Sequence, residues 1–405
     1  MKHGKRLIGA LLAGAVVAGT SWSAMASQAA APQVKSALEV VEPLRDPVGL
    51  LDTDERTVRS KSGKLYRIFT ALPTEQAPPG GWPVVYVLDG NAWFPLFVPQ
   101  SRLMARRPDK GGVVPAVIVG IGYPGERPFN TERRTWDFTP KVPQRAPVPA
   151  PGGRPWSATG GADEFLGFIQ NELKPLIESE YKIDRSRQVL WGHSLGGLFS
   201  LHALFAQPDS FQYFVAASPS VWWNERYIME EAKIFAASLA KQRTDRGLLI
   251  AFGARELPEM VADPKALYEQ IKPLRERGLR LEMKEIAEEE HVSVAPVAFN
   301  RLMNFALAAT EQDKGFYAKL YAPAKDTGKA EVPAVPNAKQ YLALSAEQRY
   351  QLRTRVRALP KVQRDAFNAR FYDTLHGDMP ADARQRLHTE RIAMDKRHGT
   401  VPSDD

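Results

Sequence analysis

The sequence Gly-His-Ser-Leu-Gly at residues 192–196 has the G-x-S-x-G pattern of a serine nucleophile. It follows an apolar run that ends at Trp191 and precedes a helical stretch over 197–206, which is the strand–turn–helix setting of a nucleophile elbow. Glycines flank the serine because its tight, strained turn leaves no room for side chains there. The pattern predicts that Ser194 attacks a carbonyl carbon; the alternative is a glycine-rich turn with a structural serine.

A serine hydroxyl needs a base that accepts its proton, and the chain has seven histidines. Only His291 follows the last predicted strand, where the chain order serine, acid, histidine would put the base. His193 adjoins the serine within the turn and is badly placed to reach its hydroxyl, and His202 is expected to pack within the following helix. The other histidines lie near the N-terminus or beyond a C-terminal linker: His3, His376, His388 and His398. We therefore predict His291 as the base; a surface-loop histidine is the alternative.

The acid that orients the imidazole should follow the predicted strand over 248–252. Glu256 is the first carboxylate after that strand and is the predicted third member of the site. Glu259 and Asp263 are alternatives. A serine–histidine pair with a weak or displaced acid also stays open.

Ester hydrolysis further requires backbone N–H groups that stabilise the oxyanion of the tetrahedral intermediate. The first donor should be the residue after the nucleophile, Leu195. The second should lie in the loop after the strand over 84–88, where Gly90 or Asn91 is the predicted donor. The Asp-Gly dipeptide at 89–90 is equally compatible with a plain turn.

The elements that would position these residues are visible as short apolar runs that alternate with amphipathic helical patterns between residues 55 and 309. This alternation predicts an α/β fold of the α/β-hydrolase type, with a mostly parallel central sheet and helices on both faces. Residues 56–60 and 65–70 are predicted to form an antiparallel hairpin that turns at Ser62-Gly63. The remaining predicted strands comprise residues 84–88, 117–121, 188–191, 213–217, 248–252 and 281–286.

The ends of the chain differ from this pattern. Basic residues at positions 2, 5 and 6, an apolar run over 7–18 and Ala-Met-Ala at 24–26 predict a signal peptide over 1–26 and hence a periplasmic location. The run is shorter than the roughly 20 residues that span a bilayer, which disfavours an uncleaved anchor. The predicted organisation continues with an N-terminal segment over 27–54, the catalytic domain over 55–312, a linker over 313–338 and a helical C-terminal extension over 339–405. Residues 142–161, rich in proline and glycine, are predicted to form a long loop.

The composition limits the chemistry further. The chain has no cysteine, which excludes disulfides, thiolate metal sites and a catalytic thiol. The formal charge is +8, and three of the basic residues lie in the predicted signal peptide, so the remaining bias is too small to indicate nucleic-acid binding. No membrane association is indicated beyond the signal peptide, and no metal or organic cofactor is implied.

Five ordered blocks of sequence resemble the putative-esterase family of α/β-hydrolases. Within that family they look most like the esterases of catecholate trilactone siderophores, including periplasmic enterobactin esterases. The resemblance covers about residues 46–312, roughly two thirds of the chain, and leaves out the C-terminal extension. The blocks are Val-Leu-Asp-Gly-Asn at 87–91, Arg-Thr-Trp-Asp-Phe-Thr-Pro at 134–140, Gly-His-Ser-Leu-Gly-Gly at 192–197, Ala-Ser-Pro-Ser-Val-Trp-Trp at 217–223 and His-Val-Ser at 291–293.

The resemblance implies hydrolysis of the ester backbone of a ferric siderophore, so that the iron arrives with a small-molecule substrate. Arg134 matches a basic position of the family and would bind the anionic complex; a structural ion pair with Asp137 is the alternative. Trp93, Trp222 and Trp223 would offer flat faces to catechol rings, or would pack in the core. The alternatives are an esterase for feruloyl, acetyl or small esters, and a non-catalytic binding protein on the same scaffold. A basic cleft around Arg134 would favour the siderophore.

Overall fold

The computed structural model describes residues 50, 52–142, 157–321, 332–359, 361–377 and 379–398. The predicted signal peptide, nearly all of the N-terminal segment and residues 143–156 of the proline-rich loop lie outside these ranges. No helix within them is long and apolar enough to cross a membrane.

An eight-stranded sheet forms the centre of the catalytic domain, in the order β1-β2-β4-β3-β5-β6-β7-β8. The pairs β1–β2 and β2–β4 are antiparallel and all other neighbours are parallel, so the expected mostly parallel sheet with an antiparallel hairpin is confirmed. The strands are β1 (Thr53–Arg59), β2 (Leu65–Ala71), β3 (Trp82–Leu88), β4 (Val117–Gly122), β5 (Ile183–His193), β6 (Tyr213–Ala217), β7 (Gly247–Gly253) and β8 (Arg280–Ile286).

Helices cover both faces of this sheet. Alternate residues of β3 show the two sides: Tyr86 belongs to one buried apolar cluster and Val87 to the other. Both faces of the central strands are apolar because each is packed under helices. The helices of the catalytic domain are α1 (Gly90–Met104), α2 (Pro108–Gly111), α3 (Thr131–Phe138), α4 (Ala162–Phe168), α5 (Lys174–Glu180), α6 (Leu195–Ala206), α7 (Trp223–Arg226), α8 (Ile228–Ser238), α9 (Pro258–Ile271), α10 (Val294–Ala306) and α11 (Glu311–Leu320).

The end of the catalytic domain differs from the prediction. Residues 311–320, most of which were assigned to the linker over 313–338, form α11. Tyr317 on this helix is fully buried in the core, and Asp313 forms an ion pair with Arg187 of β5 at 2.8 Å. The predicted end of the catalytic domain at residue 312 is therefore wrong, because the buried Tyr317 side chain and the Asp313 ion pair attach α11 to that domain.

The described residues of the C-terminal extension contain four further helices: α12 (Ala338–Ala343), α13 (Ala346–Arg357), α14 (Lys361–Gly377) and α15 (Ala381–His398). The side chains of Tyr341, Val356 and Phe371 share a separate apolar cluster, so these helices have a core of their own. Ser345 and Gln348 form a reciprocal capping box at the start of α13. The predicted helical extension is confirmed.

Candidate active site

Ser194 lies between β5 and α6 with the backbone angles φ 60° and ψ −117°. A positive φ is unfavourable for a residue with a Cβ atom and marks stored strain. The turn is held by a hydrogen bond of 2.9 Å from the Ser194 N–H to the carbonyl oxygen of Ala217 in β6. A Cβ atom at Gly192 would collide with the backbone of Gly196, and one at Gly197 would lie 2.9 Å from Pro219. The flanking glycines thus allow the serine to project from a tight turn.

His291 lies in the loop between β8 and α10, and it contacts both Ser194 and Glu256. Its Nε2 atom is 3.1 Å from Ser194 Oγ, and its Nδ1 atom is 2.9 Å from Glu256 Oε2. An ionised carboxylate can only accept, so Nδ1 carries the proton and Nε2 is free to accept the serine hydroxyl. The Glu256 side chain is fully buried, whereas that of His291 is 30% exposed. The three side chains that the sequence singled out therefore form one continuous hydrogen-bonded chain.

The carboxylate of Glu256 is held in place on its other side. Its Oε1 atom accepts hydrogen bonds from the backbone N–H of Gly253, at 2.7 Å, and from Ser218 Oγ, at 2.5 Å. Glu259 is exposed, and Asp263 is buried in an ion pair of 2.8 Å with Arg226. Of the three carboxylates considered from the sequence, Glu256 is the one that contacts the histidine.

Two serines that sequence analysis did not select complete this part of the site. Ser218 has a φ of 40° directly after β6, which aims its hydroxyl at Glu256. Ser220 donates its backbone N–H to the carbonyl oxygen of Ser194 at 3.1 Å, and its Oγ atom lies 3.4 Å from Ser194 Oγ. Their Ser-Pro-Ser sequence follows a strand end at the same edge of the sheet, which is the signal that could have identified them.

His193 was expected to be badly placed for contact with the serine hydroxyl, and its ring instead faces the base. Its Nε2 atom lies 2.5 Å from the carbonyl oxygen of His291, and the two rings are 4.7 Å apart. Burial, followed by the nearby His291 ring and the Arg134 charge, lowers the pKa of His193 to about 3 even though the hydrogen bond opposes that shift. The ring is therefore neutral near pH 7 and donates its Nε2–H to the carbonyl.

The predicted oxyanion donors stand at the starts of two helices. Leu195 is the first residue of α6 and Gly90 the first of α1, where backbone N–H groups have no intrahelical acceptor. A Cβ atom at Gly90 would lie 2.8 Å from the backbone of Gly120, so only glycine allows this close approach to β4. Asn91 has a structural role in addition: its side-chain amide bonds the backbone of Tyr123 at both N–H and carbonyl, at 2.8 and 3.0 Å. Which of these N–H groups stabilise the oxyanion stays a prediction.

Arg134 lies beside the nucleophile turn, and its guanidinium is paired with a carboxylate. The guanidinium donates from Nε and Nη2 to both carboxylate oxygens of Asp89, each at 3.0 Å, and Nη2 also approaches the His193 carbonyl oxygen at 3.4 Å. The alternative ion pair with Asp137 is wrong, because that carboxylate faces Arg133 at 3.5 Å and Lys64 at 3.8 Å. Arg134 therefore has a structural ion pair, and its predicted contact with the substrate stays a prediction.

The three tryptophans differ in their burial. Trp223 is fully buried, and Trp93 is 6% exposed and packs against Trp191 and His193. Both are core residues, so the expectation that they present faces to substrate is wrong. Trp222 is partly exposed, and its contact with a substrate stays a prediction.

A cavity of about 530 Å³ lies beside the oxyanion loop, in the segment that follows β4. Its lining includes Tyr123, Arg127 and Phe129. The Phe129 side chain is 38% exposed and contacts Trp93 edge-on, with ring centroids 6.0 Å apart. Because Trp93 in turn contacts His193, one aromatic chain connects this cavity to the nucleophile turn. Sequence analysis did not identify Phe129.

Comparisons with known proteins agree with this geometry. The family model described as Putative esterase matches residues 60–301. The ferri-bacillibactin esterase BesA of Bacillus subtilis is 41% identical over 259 residues, which are 63% of this chain and 89% of that protein. The crystal structure of the BES protein from Bacillus cereus has a TM-score of 0.61 at 38% identity, over 65% of this chain and 98% of that one. The siderophore hydrolase EstA from Aspergillus nidulans has a TM-score of 0.54 at 32% identity, over 66% of this chain and 97% of that one. The chain therefore belongs to the putative-esterase family and is a carboxylic-ester hydrolase.

Proposed function

We propose that this protein hydrolyses the ester backbone of catecholate trilactone siderophores, with Ser194 as nucleophile, His291 as general base and Glu256 as the orienting acid. The observation that carries the proposal is the hydrogen-bonded chain from Ser194 Oγ through His291 to Glu256, on a strained turn. The substrate class is supported by the 41% identity to a ferri-bacillibactin esterase and by the similarity to siderophore hydrolases.

In the first half of the reaction, Ser194 Oγ attacks the carbonyl carbon of an ester while His291 Nε2 accepts the hydroxyl proton. The negative charge that develops on the carbonyl oxygen is stabilised by backbone N–H groups at Leu195 and at Gly90 or Asn91. Glu256 accepts the Nδ1–H of the imidazolium and stabilises its charge. Collapse of the intermediate breaks the ester C–O bond, and the leaving alkoxide takes the proton from Nε2. An acyl-enzyme on Ser194 remains.

In the second half, His291 removes a proton from a water molecule, which attacks the acyl carbonyl carbon. The Ser194 oxygen is expelled and regains its proton from Nε2, so that the enzyme is restored and the acid product leaves. Each cycle opens one ester bond of the ring. The product is a linear ligand that holds its iron less tightly, because the donor groups are no longer preorganised by the ring.

The cavity beside the oxyanion loop, lined by the segment after β4, offers space for a bulky substituent of the substrate. Its volume of about 530 Å³ lies in the range of small-molecule sites. The partly exposed ring of Phe129 offers an apolar edge to an aromatic substituent, and Arg127 is exposed at the same cavity.

A second candidate function is hydrolysis of neutral esters such as feruloyl or acetyl esters. It is favoured by the ion pair between Arg134 and Asp89, which compensates the cation expected to attract a trianionic ferric complex. Three glutamates directly precede His291 in the chain: Glu288 and Glu290 are exposed, and Glu289 is partly exposed. Glu288 is paired with Arg255, so Glu289 and Glu290 add negative charge beside the base. Neutral or iron-free substrates would be tolerated by this charge distribution.

Product analysis tests the two candidates directly. The purified protein is incubated with ferric enterobactin, iron-free enterobactin and p-nitrophenyl butyrate, and the products are identified by chromatography and mass spectrometry. Linear or fragmented trilactone that forms with the native protein and not with Ser194→Ala would support the siderophore proposal. Cleavage of the nitrophenyl ester alone would support the second candidate.

We further propose that the protein acts in the periplasm after cleavage behind Ala26. This proposal rests on the basic, apolar and small-residue pattern of residues 1–26. Expression of the full chain in a Gram-negative host, followed by fractionation and N-terminal mass analysis, tests it. A periplasmic product that starts at Ser27 is expected; a cytoplasmic product that retains the first 26 residues would contradict the proposal.

A further inference from the structure

We propose that His193 is a positioning residue, which fixes the backbone of the catalytic base by donating its Nε2–H to the carbonyl oxygen of His291. The proposal rests on the proposed roles of Ser194 and His291. It assigns a function in catalysis to the residue between the first glycine and the serine of the elbow.

The His193 ring is held rigidly in the orientation that this hydrogen bond requires. His193 is 4% exposed, and its Nε2 atom lies 2.5 Å from the His291 carbonyl oxygen. On another side, Trp93 packs against the ring at an interplanar angle of 72°, with centroids 5.4 Å apart. Dense packing of this kind holds a side chain in a low-energy rotamer, so the ring restrains the carbonyl that it contacts.

The bond joins two segments that come from distant strands. Ser194 follows β5 and His291 follows β8, with β6 and β7 between them in the sheet. His193 is the direct neighbour of Ser194 in the chain, so its contact with the backbone of His291 connects nucleophile and base over a short path. We infer that this contact keeps the His291 backbone at the position that sets the 3.1 Å distance between Ser194 Oγ and His291 Nε2. A misplacement of about 1 Å between reacting groups lowers rates by about 100-fold.

The hydrogen bond requires a neutral His193 ring with its proton on Nε2. The charged and titratable groups that face it are Arg134, whose Nη2 approaches the His193 carbonyl oxygen at 3.4 Å, and the His291 ring. Asp89 lies on the far side of Arg134 and Glu256 on the far side of His291. Burial and these two neighbours oppose a positive charge on His193, so it stays neutral when His291 accepts the proton of the serine. The donor is therefore present in every step of the cycle.

A pair of amide substitutions tests the proposal. The side-chain nitrogen of glutamine reaches about as far as the histidine Nε2 atom, whereas that of asparagine is one bond shorter. We expect His193→Asn to lower kcat for p-nitrophenyl butyrate by about 10- to 100-fold with KM little changed. His193→Gln should keep kcat within about threefold of the native value, and the rate of Ser194 labelling by a fluorophosphonate should follow kcat in both variants. Equal kcat values in the two variants would overturn the proposal.

Controls separate this proposal from the proposed function and from folding defects. If Ser194→Ala or His291→Ala retains the native rate, the catalytic assignment itself fails, whatever the result at His193. Thermal unfolding of each variant shows whether it is folded, since a purely structural role would lower Tm and leave kcat of the folded protein unchanged. If the asparagine variant does not fold, the proposal can still be tested on the native protein. NMR of the ¹⁵N-labelled histidine rings should show His193 neutral, with its proton on Nε2, between pH 5 and 8. An Nδ1-protonated or charged ring there would overturn the proposal.

Discussion

The guanidinium of Arg134 and the carboxylate of Asp89 form two parallel hydrogen bonds, each 3.0 Å long. The Asp89 side chain is fully buried and that of Arg134 is 13% exposed. Asp89 has a left-handed conformation, with φ 52°, at the turn that begins α1 and presents the predicted oxyanion donors. The pair therefore joins α3 to the oxyanion loop, and through the His193 carbonyl also to the nucleophile turn.

A first prediction follows from this pair. Arg134→Ala would leave the buried Asp89 carboxylate without its cation, and we expect the free energy of unfolding to fall by about 3–5 kcal/mol. Activity toward a neutral nitrophenyl ester and toward ferric enterobactin should fall by similar factors, because the damage is to the shared loop. Denaturant titration and kcat/KM for both substrates check this. The control is Arg127→Ala, at an exposed arginine, which should leave stability unchanged. A loss confined to the anionic substrate would instead restore Arg134 as a substrate-binding residue.

A second prediction concerns the acid. Glu256→Gln replaces one acceptor of the carboxylate by an NH₂ group, which cannot accept the Nδ1–H of His291 and favours the wrong tautomer of the ring. We expect kcat to fall by about 100-fold or more, with little change in KM. The matched control is Glu259→Gln, at an exposed carboxylate three residues further along the chain. Steady-state kinetics of both variants check this; a similar, small effect in the two would show that the serine–histidine pair works without an acid.

The catalytic residues could be found from the sequence because their signals are local or follow chain order. The elbow needs glycines beside Ser194, and the order serine, acid, histidine selects Glu256 and His291 once the strands are identified. The central strands β3, β4 and β7 are buried on both faces and hence show as uninterrupted apolar runs. The fold and the catalytic residues could therefore be predicted wherever a short stretch of sequence, such as the elbow or one apolar strand, is enough to identify the element.

The partners of polar and aromatic side chains could not be predicted in the same way. Arg134 and Asp89 are 45 residues apart and meet only through tertiary packing, whereas Asp137 is close to Arg134 in sequence and looked like the partner. Trp222 and Trp223 are adjacent in sequence, yet one is partly exposed and the other fully buried, because the backbone directs neighbouring side chains to different sides. Local sequence does not determine these directions.

A third prediction concerns His202, which is buried between Asp163 of α4 and Glu231 of α8. Burial opposes its charge, but the hydrogen bonds to Asp163 and Glu231 outweigh that effect and raise the pKa of His202 to about 9. A pKa raised on folding stabilises the protein fully below the unfolded value of about 6.5 and loses that contribution as the pH rises through about 9. The free energy of unfolding should therefore fall by roughly 1–3 kcal/mol more in the native protein than in His202→Gln across this window.

Denaturant titrations at a series of pH values between about 6.5 and 9 test the role of His202. The control is His398→Gln, at an exposed histidine of the C-terminal extension, which should keep the pH dependence of the native protein. Parallel curves for the native protein and His202→Gln would show that His202 is not charged in the folded state.

A fourth prediction concerns Phe129, the partly exposed aromatic residue of the cavity beside the oxyanion loop. If this ring contacts an aromatic substituent of the substrate, Phe129→Ala should raise KM for ferric enterobactin by about 3- to 10-fold, as expected for one aromatic contact. The KM for ethyl butyrate, followed by pH-stat titration, should change little because this ester has no ring. Leu103→Ala is the control: its side chain is 73% exposed on α1 and does not line the cavity, so neither KM should change. An equal rise of both KM values in Phe129→Ala would mean that Phe129 supports the loop through its contact with Trp93 and does not select the substrate.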